Sequence, residues 1–228
     1  MPQAAASPCS PTIEDARTRL TFALDLPEDG PRIVARTDGP DGRTFTYGTD
    51  VQHIVVPLAA GSVREIVALD VLEHVYDEQA FLAECARLLP PEGTLRLRVP
   101  VDGLTGWLDA INLFRYLAET TGLAPEPQEP EPTGWHRHYR ERDLVRILTE
   151  SGFTIDRLRR VNPGVAELPH AAGLVVGEVL LKRPDTERTL FRLRQRVAGM
   201  ENALPAGPLA TRLEITATTS TATAARRV

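Results

Sequence analysis

Cysteine is scarce in this chain: two in 228 residues, Cys9 and Cys85. That excludes a disulfide-stapled scaffold, and the two lack metal-ligand spacing, so no metal site is expected. A basic excess is missing too, with 26 Lys and Arg against 31 Asp and Glu and a net charge of −5. A dedicated nucleic-acid binder would show the opposite sign, so nucleic acid is excluded as a partner. No apolar run approaches a membrane span. The start, MPQAAASPCSPT, lacks the charged and apolar regions of a secretion signal. The expected setting is the cytoplasm, with no membrane partner. Local basic clusters, Arg137 to Arg146 and Arg157 to Arg160, read as solvated faces.

The length suits one ordinary domain. Residues 1–12 read as disordered, 13–202 as the domain, and 203–228 as a disordered Thr/Ala-rich tail. Within the domain, RLTFALDL (19–26), RIVAR (32–36) and RTFTYG (43–48) read as strands separated by Pro/Gly turns. VREIVALD (63–70) is nearly all apolar in its middle, as in a parallel sheet covered on both faces. A helix from Asp77 carries Phe81, Cys85, Leu88 and Leu89 on one stripe, and Pro90, Pro91 and Gly93 stop it. TLRLRVP (94–100) is a strand with one more polar face. Leu104 to Thr120 is helical in spacing, and the Pro/Glu-rich 124–134 is a surface loop. A helix over 142–151 ends at a C-cap glycine, Gly152. Strands follow at 153–161 and 172–184, then a last helix, 185–202. Alternating strands and helices imply an α/β sheet with right-handed crossovers. The two final strands, joined without a helix, imply an antiparallel edge hairpin.

Two stretches carry a resemblance: EIVALDVLEHVYDEQAFLAECARLLPPEGTLRLRVP (65–100) and WHRHYRERDLVRILTESGF (135–153). Strand, Leu-Glu-His turn, helix, Pro-Gly break and strand in this order resemble the middle of a class I S-adenosylmethionine (SAM) methyltransferase of the type 11-like kind. The resemblance implies a Rossmann-like fold, mostly parallel, with an antiparallel C-terminal edge hairpin. It also implies SAM as cofactor.

In that family a glycine-rich loop after the first strand lets the backbone approach SAM, because a side chain would block it. The matching place here is ALDLPEDGPR, which offers Asp25 and Gly30 but no glycine-rich loop. An acid ending the second strand holds the ribose hydroxyls, and Asp38 is the candidate; a local turn role in DGPDG stands beside it. Asp50, after the third strand, matches the position that meets adenine, or caps a turn. Asp70 ends the fourth strand, where open α/β sheets bind ligands. Glu73 and His74 lie beside it, and His74 serves either as a base or as an anchor of the turn.

Gly134 to Arg140 is the densest polar-aromatic cluster. In the family this region overlies the substrate. His136 or His138 would take a proton; Arg137 or Arg140 would hold an anion; Trp135 and Tyr139 would line the site. An exposed loop packed by the two aromatics is the alternative. Trp107 lines an apolar substrate pocket or faces the core.

The expected function is a SAM-dependent methyltransferase acting on an oxygen or nitrogen of a small molecule; the alternatives are a SAM-independent cyclase, isomerase or lyase on the same frame, and a non-catalytic partner subunit. An Ala-, Arg- and Pro-rich composition fits a high-GC bacterium and its specialised biosynthesis. The 185–202 helix offers a face for a homodimer or partner protein, or covers the sheet.

Overall fold

The computed structural model describes residues 18–25, 31–38, 42–102, 137–161 and 210–220. They form one seven-stranded sheet: β1 (Arg19–Asp25), β2 (Arg32–Asp38), β3 (Thr44–Gly48), β4 (Glu65–Leu69), β5 (Thr94–Pro100), β6 (Phe153–Val161) and β7 (Arg212–Thr219). The strand order is 3-2-1-4-5-7-6. The run 3-2-1-4-5 is that of a doubly wound dinucleotide-type sheet. Five strands run one way; β2 and β7 run against them. The expected Rossmann-like class I frame is present.

Two features differ from expectation. First, β1, β2 and β3 form an antiparallel meander. A parallel crossover needs a dozen or more residues, and residues 26–31 and 39–43 are too few to build one. Hairpins therefore stand where crossovers would. Second, the chain does not end its ordered part at residue 202. β7, within the stretch read as a disordered tail, pairs with both β5 and β6. Its inward residues Leu213, Ile215 and Ala217 are buried, which holds a Thr-rich segment in place. The 172–184 strand, the 104–120 and 185–202 helices, the 124–134 loop and the 1–12 terminus lie outside the described residues.

The sheet has two chemically distinct faces, because side chains alternate along a strand. Leu20 and Phe22 of β1, Ile66 and Ala68 of β4, and Leu95 and Leu97 of β5 are buried on one face. Two helices cover it: α1 (Glu78–Leu88) and α2 (Glu141–Glu150). Phe81 of α1 meets Phe22 edge-on at 5.0 Å between ring centres. Burying side chains of this size contributes about 1.5–3 kcal/mol each. The opposite face is polar: Arg19, Glu65, Arg96 and Glu214 form a cross-strand ladder, at 2.7 Å for Arg19–Glu65 and under 4 Å for the other two contacts.

Local chemistry sets the helix ends. The Asp77 side chain accepts from the Ala80 N–H at 2.9 Å, an N-cap. Past Leu88, Gly93 closes a turn so tight that a Cβ there would sit 2.9 Å from Leu89 and Pro90. At the far end of α2, Gly152 has φ 87°, the expected left-handed stop. The link 49–64 is pinned by the buried Glu84, which accepts from the Val56 N–H (2.8 Å) and from Arg87. Arg87 in turn donates to the carbonyls of Val56 and Leu58.

Candidate functional site at the carboxyl edge of the sheet

Open α/β sheets bind ligands beyond the carboxyl ends of their parallel strands. Asp25 (end of β1), Asp50 (just past β3) and Asp70 (just past β4) share that edge. Asp38 does not. Because β2 runs backwards, Asp38 pairs across from Arg19 at the amino edge. It lines an open hollow of about 500 Å³ there with Thr18, Arg19, Arg64, Glu65 and Thr94. Asp38, read as the ribose-binding acid, thus lies at the edge opposite Asp25, Asp50 and Asp70. Gly30, Trp107, Trp135 and His136 lie outside the described residues.

Asp70 is the centre of the edge. Its φ is +54°, a left-handed conformation that Asp tolerates better than most residues. The twist aims its carboxylate back over the sheet, where it takes two guanidinium groups. Arg98 of β5 donates through Nε at 2.9 Å, and Arg212 of β7 through Nε at 3.1 Å. The Asp70 N–H also donates to the Arg98 carbonyl at 2.8 Å. The carboxylate expected to hold a cofactor thus ties three strands together.

A 3-10 turn, Leu72–His74, follows, and both Glu73 and His74 are buried in it. The His74 N–H donates to the Val71 carbonyl at 2.9 Å. The main chain of His74 thus closes the turn.

The 137–140 segment crosses the same edge. Tyr139 bridges Val101 in parallel register; its N–H donates to the Pro100 carbonyl, and its own carbonyl accepts from Asp102. Its hydroxyl donates to Glu78 Oε1 at 2.5 Å, and Arg137 Nη1 donates to the same oxygen at 2.7 Å. Burial and the negative charge of Glu78 push the Tyr139 hydroxyl well above its ordinary value. Arg140 Nε donates to Asp102 at 2.8 Å in a solvent-exposed pair. Arg137, Tyr139 and Arg140, read as substrate-binding residues, each have a carboxylate of the chain itself as partner. His138 is half-buried beside Tyr139. Arg98, Arg212, Glu78 and Asp102 were missed as site residues. Only Arg98, on the polar side of TLRLRVP, gave a signal that could have found it.

Among the described residues no group of three or more His, Cys, Asp and Glu could hold a metal ion. None of their helices is long and apolar enough to cross a membrane.

Residues 21–97 match a family model described as a methyltransferase domain. The match runs from β1 to β5 and bears out the family resemblance read from the sequence. No curated protein matches the chain. Three solved structures share part of its outline. The 4+2 cyclase SpnF is 17% identical, with a TM-score of 0.41, over 72% of this chain and 52% of that one. A cyclopropane synthase from Mycobacterium tuberculosis is 20% identical, at 0.40, over 69% and 55%. Geranyl diphosphate C-methyltransferase from Streptomyces coelicolor is 10% identical, at 0.39, over 72% and 50%. This chain thus spans about half the length of each. Overlap this low carries no argument about activity.

The described residues differ from the family's SAM seat at two points. That seat needs a glycine-rich loop and a crossover after the first strand, and an acid at the same edge from the second. Here a short hairpin link replaces the first, and the second lies at the opposite edge.

Proposed function

We propose that this chain keeps the methyltransferase frame for a SAM-independent role, either as a cofactor-free enzyme of the cyclase, isomerase or lyase type or as a partner subunit. The reversal of β2 carries this reading, because it removes the crossover and the acid that would seat the cofactor. The pairing of three carboxylates near the edge supports it. Asp70, Glu78 and Asp102 each meet arginine.

A second reading is favoured by a different observation. The match of residues 21–97 to a methyltransferase domain supports SAM-dependent transfer to an oxygen or nitrogen of a small molecule, in bacterial specialised biosynthesis. It requires a cofactor seat built from Asp25 and Asp50, which share the carboxyl edge.

Calorimetric titration with SAM and S-adenosylhomocysteine separates the two. The first reading expects no heat of binding at millimolar ligand. Micromolar binding that is lost in Asp25→Ala or Asp50→Ala would overturn it and establish the second.

A further inference from the structure

The two outer strands of the described sheet are guarded differently. β6, at one end of the order, carries Asp156, Arg157, Arg159 and Arg160, and a bulge between Ile155 and Arg157. Charges and bulges are the devices that keep an outer strand from pairing with another chain. β3, at the other end, has neither. Its sequence is TFTYG, without charge or proline, and its register with β2 is unbroken. The Thr37 N–H donates to the Arg43 carbonyl at 3.0 Å. Hydrogen-bonded pairs alternate along an antiparallel ladder. Phe45 and Tyr47 therefore bond inward to β2, while the N–H and C=O groups of Thr44, Thr46 and Gly48 point outward. Among the described residues, only the Gly48 carbonyl of these groups has a partner, the Val51 N–H at 3.3 Å. Thr44 and Thr46 are exposed, so solvent reaches this edge. An apolar patch borders it: Phe45 and Tyr47 are half-buried, the Tyr47 hydroxyl donates to the Val55 carbonyl at 3.0 Å, and Val55 is 62% exposed.

We propose that β3 pairs with β3 of a second copy of this chain, antiparallel about a two-fold axis through Thr46, joining two sheets into one. Three features commit the edge to a second copy. With Thr46 opposite itself, the outward groups of Thr44, Thr46 and Gly48 meet their counterparts in about six hydrogen bonds. The same register sets Phe45 opposite Tyr47 of the second copy, twice, in the positions where cross-strand side chains approach most closely. Charge is the third feature. The Asp50 carboxylate lies back over Gly48, in the space a Cβ would fill. Gly48 then faces Thr44 of the second copy, and Arg36 stands beside Thr44 on β2. Asp50 and Arg36 are exposed and in no ion pair among the described residues. Each copy thus offers a carboxylate to the other's hydroxyl and guanidinium. A strand from a different protein would supply the backbone hydrogen bonds without these matched aromatics and charges.

The test is sedimentation equilibrium of the full chain over a range of concentrations. A reversible dimer is expected, twice the chain mass of 25.0 kDa. Because the Thr46 N–H points away from β2, Thr46→Pro removes no bond within the chain. It should raise the dimer dissociation constant about tenfold or more, with an unchanged thermal midpoint. Thr46→Lys should also weaken the dimer, and added salt should partly restore it by screening the two charges that meet at the axis. A monomer at every concentration overturns the proposal. A dimer as tight in either variant as in the wild type also overturns it, because the contact then lies elsewhere on the chain. If Thr46→Pro lowers the midpoint, Thr46→Lys alone decides by the same criterion.

Discussion

Arg212 Nε donates to Asp70 Oδ1 at 3.1 Å across 142 residues of sequence. The Arg212 side chain is only 8% exposed, and Arg98 reaches the other oxygen of the same carboxylate. Asp70→Ala takes the carboxylate from a buried guanidinium and should lower stability by about 1–3 kcal/mol in urea unfolding. Asp70→Asn keeps an acceptor oxygen and tolerance of positive φ, so its loss should be smaller. Equal losses in both variants would mean that the charge, not the hydrogen bonding, dominates.

Tyr139 links the fold to pH. Its hydroxyl is held above its ordinary value by burial and by Glu78. A raised folded-state value means that the folded chain holds the proton more tightly than the unfolded one. The stabilisation is therefore complete below about pH 10, the ordinary tyrosine value, and falls as pH rises through it toward the folded value. Wild type should lose stability as pH rises above about 10, and Tyr139→Phe should show a flatter profile. Urea midpoints measured on both sides of about pH 10 are the measurement, and parallel profiles would contradict the assignment.

Glu84 should matter more than its helix position suggests. It joins α1 to the 49–64 link through the Val56 N–H and Arg87. Glu84→Ala should cost about 1–3 kcal/mol and speed amide exchange at Val56. Cys85 next to it is fully buried, and burial pushes its thiol up. It should stay unreactive to thiol reagents until Glu84→Ala or denaturant opens the link.

A chain ending at Asn202 should not fold. It lacks β7, which stands between β5 and β6. Far-ultraviolet dichroism and gel filtration of that truncation check this. A soluble, cooperative domain would contradict the pairing of β7.

The strands from β1 to β6 were legible because each shows apolar alternation or an apolar run bounded by Pro or Gly. RLTFALD and TLRLRVP even announced the polar face, through Thr21, Arg96 and Arg98. β7 was not read because its inward set weakens to Ala217 and its outward set is Thr, so RLEITATT resembled a low-complexity tail. The meander was present in the link lengths, since six residues after Asp25 cannot hold a helix. Asp70 was placed at the right edge by its position after β4. Its arginine partners come from strands brought close only by the sheet register, which periodicity does not report. The position of Asp38 was not legible for the same reason: a one-strand reversal carries a side chain to the other end of the sheet.

The place of β7 also orders events during synthesis. Among the described strands β6 pairs only with β7, so residues 153–161 wait for this partner until residues 212–219 leave the ribosome. Until then β5 presents a bare strand edge, the kind of surface that recruits other chains. Slowed translation or premature release within residues 162–211 would thus give nascent chains that cling to chaperones, whatever the stability of the finished molecule.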